Sequence, residues 1–259
     1  MSRRVRTVVA DDEDFGTASK LVDARVVDER YPYSHGLLWR CVSAFLYYVV
    51  APVPVWLLSK VYGLRIRNRR AIRSLGGCYI YGNHTHWVDD LIPYLISFPV
   101  RASIVTGPTA VSMPLIRHLV SMLGGIPLNS TEAGKAAFRE ALDRAVKQGG
   151  PVAIFPEAHE WPYYNGIRDF PPYSFTYPVR SCAPVVAYVV TYTKRFFSWY
   201  PPRMTVTIDE PIPPSCWQGL LDPKTYLRDR VLDFMRTTAR QSHSYAWIDY
   251  RLPGQGRND

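Results

Sequence analysis

A histidine and an aspartate in this chain are spaced so that the two side chains could work on one proton. His84 and Asp89 belong to the segment Asn-His-Thr-His-Trp-Val-Asp-Asp, with four residues between them. A turn that leaves a strand can hold the imidazole, while a carboxylate one helical turn later binds the far ring nitrogen and fixes its tautomer and basicity. The pair is therefore typical of a general base, and its alternative interpretation is a structural His-Asp pair.

The residues around this pair predict the turn from strand to helix that such a base requires. An aromatic and β-branched run at 78–81 is broken by Gly82 and Asn83, and an apolar helical stretch follows through Ile96. A second apolar run, at 151–155, is followed at once by a proline and then Glu157. Because ligands of open α/β sheets usually bind at the carboxyl ends of strands, both places are candidate site positions.

Strand-like and helical segments alternate through the centre of the chain. Strands are predicted at 78–82, 102–106, 125–128, 151–155, 184–193 and 203–208. Helices are predicted at 87–97, 113–123, 132–148 and 223–240, with a long loop at 156–180. This alternation predicts a single α/β domain with a mostly parallel central sheet flanked by helices.

Four short blocks, taken in order, resemble one family. They are Asn83-His84 with Asp89, Gly124-Gly125-Ile126-Pro127, Phe155-Pro156-Glu157 and Ala183-Pro184-Val185-Val186. Over about residues 35–210 their order and spacing resemble the glycerolipid acyltransferases of the lysophosphatidate acyltransferase (1-acyl-sn-glycerol-3-phosphate acyltransferase) type, which carry a His-x4-Asp motif. His86 stands where that family commonly has serine.

The resemblance implies transfer of a fatty acyl group to a hydroxyl of a lysophospholipid or glycerol-phosphate acceptor in phospholipid biosynthesis. The donor would be an acyl thioester, either acyl-CoA or acyl carrier protein, and no bound cofactor is implied. His84 would be the general base and Asp89 would orient it. The other residues that we assign to the substrate are Asn83, His86, Gly125, Ile126, Pro127 and Glu157.

Two positions depart from the family pattern. Ser130 stands where the family commonly has an arginine, the side chain that would bind an acceptor phosphate by charge-assisted hydrogen bonds. Lys135, Arg139 and Arg168 are the candidates to replace it, with a solvated surface charge as the alternative interpretation of each. Ala158 stands in place of a glycine, and we expect it to exclude a positive φ or a very close backbone approach at this position without removing the Glu157 carboxylate. His159 and the residue after it, Glu160, are either additional site residues or polar loop, and we favour the polar loop.

Two other functions can be weighed against acyl transfer. His84 and His86 begin the His-x-His pattern of binuclear metallohydrolases, but Val88 stands where that site needs an aspartate and no histidine follows Asp90, so no metal is expected. His86 is expected to face the site entrance or to cap the helix start. The substitutions at Ser130 and Ala158 keep open a catalytically silent, membrane-surface lipid-binding protein on the same scaffold.

An apolar stretch predicts attachment to a membrane. Residues 41–59 hold no charged side chain, and residues 60–73 directly after them hold six basic and no acidic residues. Prolines at 52 and 54 favour a re-entrant or interfacial helical pair over a clean crossing, and a buried core hairpin is the alternative. The basic run indicates the cytoplasmic face of the cell membrane and anionic lipid as a partner, and the aromatic segment 194–200 could enter the headgroups.

Composition supports one domain with polar ends. The chain has 259 residues, 47% of them hydrophobic, and a net charge of +9. We predict a mobile polar tail at 1–30, a membrane-associated helical and basic segment at 31–75, the acyltransferase domain at 76–252 and a tail at 253–259. The four cysteines form no Cys-x-x-Cys pair and are expected to be reduced. No nucleic-acid recognition signature is present, so no such partner is expected.

Overall fold

A seven-stranded sheet forms the centre of the computed structural model, which describes residues 4–8, 14–15, 27–112, 116–197 and 199–251. The strands are β1 (Arg4–Thr7), β2 (Arg65–Arg67), β3 (Tyr79–Gly82), β4 (Ser103–Thr106), β5 (Gly125–Pro127), β6 (Val152–Ile154), β7 (Val185–Thr193), β8 (Arg203–Ile208) and β9 (Ile248–Arg251). The helices are α1 (Leu37–Phe45), α2 (Pro52–Val61), α3 (Arg70–Arg73), α4 (Ile92–Ser97), α5 (Ile116–Met122), α6 (Glu132–Lys147), α7 (Thr176–Ser181) and α8 (Pro223–Gln241).

The sheet has the strand order β2-β8-β7-β3-β6-β4-β5. Every neighbouring pair is parallel except β7 and β8, which form an antiparallel hairpin. The prediction of a mostly parallel α/β sheet is confirmed. Since β3, β6 and β7 are adjacent and parallel, the residues that follow β3 and β6 meet at one edge of the sheet, beside the later part of β7.

Helices cover both faces of the sheet. On one face α6 and α8 pack their apolar sides against β3, β6 and β7, and on the other face α3 and α4 do so. All four residues of β3 are buried, as expected for a central parallel strand. Helix α6 begins where the sequence predicts it, because the Thr131 hydroxyl accepts a hydrogen bond from the Gly134 N–H at 3.1 Å.

Two local features differ from the sequence-based expectations. The helix predicted at 87–97 is a 3₁₀ helix, Trp87–Leu91, that continues into α4. The loop predicted at 156–180 contains a 3₁₀ turn, Pro172–Phe175, and α7. These helices are too short for a 3.6-residue period to develop in the sequence.

Two of the predicted segments contribute strands to a sheet. Residues 4–7 do not form a mobile tail, because β1 pairs in parallel with β9 to form a second, two-stranded sheet. The basic stretch is not separate from the main domain either, since β2 is an edge strand paired with β8. The predicted tail at 253–259 lies outside the described residues.

The apolar stretch forms one continuous helix, Leu37–Val61, of 25 residues. The predicted break at the prolines is wrong, because a wider π turn at Leu46–Val50, in which the Ala51 N–H bonds the Leu46 carbonyl at 2.8 Å, joins α1 to α2. By length and composition this helix could cross a membrane. Its small buried stripe, made of Ser43, Tyr47, Ala51 and Val55, lies against the domain, and its other large apolar side chains are mostly exposed.

Candidate active site

The strand order places His84 and Glu157 side by side at the carboxyl ends of two central strands. His84 follows β3 by two residues, Glu157 follows β6 by three, and the two strands pair in parallel. The backbone N–H of His84 bonds the carboxylate of Glu157. The two strand ends that the sequence singles out therefore form one site.

The imidazole of His84 is held on one face and along one edge. One ring face stacks on Phe155, with ring centroids 4.5 Å apart and planes at 21°. Nδ1 is buried and lies 3.6 Å from Asp89 Oδ2, slightly beyond a hydrogen bond. Such contacts are often long before substrate binds. The side chain is 16% exposed, so the opposite edge, which carries Nε2, is the part of the ring that a substrate can reach.

Asp89 is fixed by the backbone of the same turn. Its fully buried carboxylate accepts hydrogen bonds at Oδ2 from the N–H groups of Thr85 (2.5 Å) and His86 (2.7 Å). These bonds hold the carboxylate beside Nδ1 of His84 as a charged acceptor. The four-residue spacing of the motif therefore places a carboxylate beside Nδ1 of the imidazole.

Carboxylates around His84 change its proton affinity. Burial by itself lowers the pKa of His84 because it disfavours the charged ring, but Asp89, Asp90 and Glu160 outweigh burial and raise the pKa to about 9. Burial also raises the pKa of Glu160 to about 7, with Asp89 and Asp90 adding to the rise and His84 opposing it. This coupling between Glu160 and His84 favours the interpretation of Glu160 as an additional site residue over that of plain polar loop.

The loop after β6 pairs with the backbone of the His84 turn. The Trp161 N–H bonds the His84 carbonyl at 3.2 Å, and the Tyr163 N–H bonds the Thr85 carbonyl at 2.7 Å. Sequence reasoning did not identify Trp161 or Tyr163 as site residues, because backbone pairing between two loops leaves no pattern in side-chain types. These bonds fix the position of the imidazole relative to Glu157.

Glu157 and Arg168 form a buried ion pair that braces this loop. Arg168 donates from Nη2 to Glu157 Oε2 at 3.2 Å and from its backbone N–H to Oε1 at 3.2 Å. Its guanidinium also bonds the His159 carbonyl and lies over the Trp161 ring at 4.8 Å. Burial raises the pKa of Glu157, and Arg168 counteracts that rise. The prediction that Arg168 replaces the phosphate-binding arginine is therefore not supported by its position.

Asn83 and His86 also have structural partners. The Asn83 amide bonds the Val190 carbonyl at 3.1 Å and the Val190 N–H at 2.7 Å, so a substrate contact would require breaking its bonds to β7. Nδ1 of His86 accepts from the Val88 N–H at 3.1 Å, and Nε2 lies 3.0 Å from the Tyr163 hydroxyl. Both ring nitrogens are used, which leaves none for a metal. We assign Asn83 a structural role, and His86 caps the helix start as expected.

Gly125, Ile126 and Pro127 lie far along the sheet from His84. They form β5, which is separated from β3 by β6 and β4, and three strand spacings amount to about 14 Å. The preceding N-terminal segment covers this end of the sheet, since the Tyr33 hydroxyl bonds the Pro127 carbonyl at 2.9 Å and the Ser130 N–H bonds the Val27 carbonyl at 2.8 Å. A substrate that contacts these three residues would therefore do so with a part that lies far from His84.

Lys135 lies in the first turn of α6 and forms an ion pair with Glu132. Its side chain is 44% exposed. Its predicted role in binding an acceptor phosphate stays a prediction.

Ala158 adopts a left-handed backbone conformation, with φ of 65°. The expectation that alanine excludes a positive φ here is wrong, because the bonds of Glu157 on one side and of the 161–163 loop on the other fix the backbone. A non-glycine residue costs roughly 1–2 kcal/mol in this region.

Replacing Ala158 by glycine is expected to stabilise the protein by about 0.5–1 kcal/mol. The relief of strain exceeds the extra conformational entropy that glycine loses on folding. Thermal and urea unfolding of the two proteins measure the difference. An alanine-to-glycine change at Ala141, which lies within α6, provides the opposite control, since it should destabilise. Equal destabilisation at both positions would contradict strain at Ala158.

Comparison with known proteins gives one family and one fold. The family model described as Acyltransferase matches residues 63–185. Among solved structures the chain is similar to the 1-acyl-sn-glycerophosphate (LPA) acyltransferase PlsC from Thermotoga maritima, with 16% identity, a TM-score of 0.54, and coverage of 80% of this chain and 95% of that chain. No curated protein matches the sequence. The matched region begins before β2 and includes both His84 and Glu157.

Proposed function

We propose that the chain, whose residues 63–185 match the family model described as Acyltransferase, moves a fatty acyl group from an acyl thioester to a hydroxyl of a lysophospholipid or glycerol-phosphate acceptor. Lysophosphatidate is the first acceptor to test, since the structurally similar PlsC is an LPA acyltransferase. The observation that carries the proposal is the position of the His84 ring. Its Nδ1 edge lies beside Asp89, and its opposite edge is accessible from solvent.

The proposed reaction needs no covalent enzyme intermediate. His84 Nε2 takes the proton of the acceptor hydroxyl as that oxygen attacks the thioester carbonyl, and Asp89 stabilises the imidazolium that forms. The tetrahedral intermediate then collapses, the carbon–sulfur bond breaks, and the imidazolium returns the proton to the leaving thiolate. The products are the acylated lipid and the free thiol.

Charge in the site constrains where an acceptor phosphate can lie. Asp89, Asp90 and Glu160 place negative charge around His84, and each of them raises the pKa of the imidazole. An anionic group directly beside the ring would be repelled by the same carboxylates. We therefore propose that the hydroxyl approaches Nε2 while any phosphate of the acceptor points away from Asp90 and Glu160.

We propose that the reaction takes place at a membrane surface. The helix Leu37–Val61 contacts the domain through one narrow stripe from Ser43 to Val55 and exposes leucine, valine, phenylalanine and tryptophan side chains elsewhere. A helix that packs along the domain over this length fits monotopic attachment better than a free crossing. The exposed arginines of β2, Arg65 and Arg67, support attachment to anionic lipid on the cytoplasmic face.

Release of free thiol tests the function directly. Detergent-solubilised protein is supplied with acyl-CoA or acylated carrier protein and with a panel that includes lysophosphatidate, other lysophospholipids and glycerol phosphate. We expect thiol release that requires an acceptor, with a new diacyl or monoacyl product in the lipid extract. Release that is equal with and without every acceptor would contradict acyl transfer and favour the lipid-binding alternative.

The raised pKa of His84 predicts an alkaline rate profile. With a pKa of about 9, roughly 1% of the imidazole is in the basic form at pH 7. We expect acceptor-dependent kcat/KM to rise about tenfold per pH unit and to level off near pH 9, after subtraction of uncatalysed thioester hydrolysis. In Asp89→Asn the loss of a negative neighbour lowers the pKa of His84, so the plateau should begin at lower pH. A profile that is flat from pH 6 to 9 in the wild type would contradict the assignment.

A further inference from the structure

The loop that joins β7 to β8 exposes a cluster of aromatic side chains. Phe196, Phe197, Trp199 and Tyr200 have exposed fractions of 95%, 52%, 70% and 49%. Phe197 stacks on Trp199 with ring centroids 4.8 Å apart, and Phe196 lies edge-on to Phe197 at 5.1 Å. The rings thus form one apolar patch on the hairpin tip, residues 194–197 and 199–202. Patches of this kind mark interaction surfaces.

The hairpin tip projects from the end of the sheet at which His84 and Glu157 lie. Gly82, the last residue of β3, pairs with Tyr188, and β7 continues five residues further to Thr193. Five residues of strand correspond to roughly 17 Å. Along this length β7 passes the His84 turn, because the Tyr192 hydroxyl lies 2.7 Å from the Thr85 hydroxyl. The aromatic patch therefore stands beyond the site, on the same side of the molecule.

The hairpin tip is also joined to the end of the apolar helix. Arg195 donates a hydrogen bond to the Val61 carbonyl, and the Met204 N–H bonds the Tyr62 carbonyl at 3.2 Å. The Tyr62 ring lies 6.2 Å from the ring of Trp87, which is exposed and belongs to the catalytic motif. The helix end, Trp87 and the hairpin tip thus form one continuous surface around the entrance to the site.

We infer that the hairpin tip is a second membrane contact, which inserts its aromatic rings into the interface of an anionic bilayer. Tryptophan and tyrosine are the side chains that favour the headgroup region, and Lys194 and Arg195 at the base of the tip supply charge for anionic lipid. With the helix Leu37–Val61 and the hairpin tip both in the interface, the carboxyl ends of the central strands face the bilayer. Resting on the proposed function, this orientation lets a lysolipid acceptor reach His84 without leaving the membrane.

An environment-sensitive fluorophore at Phe196→Cys tests the contact. The label is attached to the full chain in which the three exposed cysteines, Cys41, Cys182 and Cys216, are changed to serine. The matched control carries it at Leu221→Cys, an exposed apolar position outside the hairpin, in the segment between Ile212, which pairs with Val185 at the amino end of β7, and α8. Vesicles contain phosphatidylcholine alone or phosphatidylcholine with phosphatidylglycerol.

We expect the emission of the label at position 196 to shift to the blue and to be quenched by brominated lipid, more strongly with phosphatidylglycerol. The label at position 221 should stay in water. Emission that is the same at the two positions, or that is quenched only by aqueous iodide, would overturn the inference. Because the label reports without turnover, insertion without thiol release would count against the acyl-transfer proposal, and thiol release without insertion would count against the hairpin contact.

A pair of double variants measures the contribution to binding. Phe196→Ser with Trp199→Ser should weaken partitioning into the anionic vesicles by at least about tenfold, since each ring leaves water on insertion. Leu220→Ser with Leu221→Ser should bind like the wild type. Equal partitioning of all three proteins would show that the helix Leu37–Val61 alone holds the protein on the bilayer, and the hairpin proposal would fail.

Discussion

Replacing His84 by alanine is expected to lower acceptor-dependent acyl transfer by about 10²–10⁴-fold, the usual contribution of a general base. The ring is partly exposed and its removal leaves the backbone bonds of the turn in place, so the protein should remain folded. Far-UV circular dichroism and the unfolding midpoint check this. His118→Ala, at an exposed position of α5, is the matched control and should keep wild-type turnover.

The companion change, Asp89→Asn, separates charge from shape. The amide oxygen can still accept the N–H groups of Thr85 and His86, so the turn keeps its geometry while the carboxylate charge beside Nδ1 is lost. We expect a loss of similar order in kcat with little change in the free energy of unfolding. Wild-type turnover in Asp89→Asn would remove that residue from the mechanism. Wild-type turnover in His84→Ala would do the same for the proposed base.

The elements that position the base could be predicted from local sequence. Central parallel strands are buried on both faces and read as short apolar runs, and the residues that end β3 and β6 break those runs sharply. Parallel pairing then brings the two ends together without further information. The first and last residues of α6 can be predicted equally well, since Thr131 caps its start and glycines follow its end.

The surroundings of the base could not be predicted in the same way. Glu160, Trp161 and Tyr163 reach the site through a loop whose backbone pairs with the His84 turn, and such pairing is independent of side-chain type. The partner of Arg168 could not be predicted either, for a related reason. An arginine in a polar loop looks available to a phosphate until the fold shows that a buried carboxylate already holds it. Likewise, the left-handed Ala158 is imposed by its neighbours against its own preference.

Removal of the Arg168 guanidinium is expected to cause the largest loss of stability. In Arg168→Ala the carboxylate of Glu157 stays buried without its partner, and breaking a buried pair from one side costs about 3–5 kcal/mol. Urea unfolding at pH 7.5 measures the loss. As a matched control, Arg236→Ala removes an exposed ion pair with Asp169 and should cost less than about 1 kcal/mol.

The loss of stability in Arg168→Ala should be smaller in acid than at pH 7.5, because the variant leaves the Glu157 carboxyl buried without a partner. Burial already raises the pKa of Glu157 above its ordinary 4.5, and without Arg168 nothing of comparable strength opposes that rise. A carboxyl whose pKa is higher in the folded protein favours folding while it is protonated, so its cost appears as the pH rises above 4.5 and shrinks as the pH falls towards it. Glu157→Gln combined with Arg168→Ala should therefore be more stable at pH 7.5 than Arg168→Ala alone. If the double variant were less stable by the sum of both single losses, the pair would not be coupled. The bracing of the His84 turn would then have to come from the backbone bonds of Trp161 and Tyr163 alone.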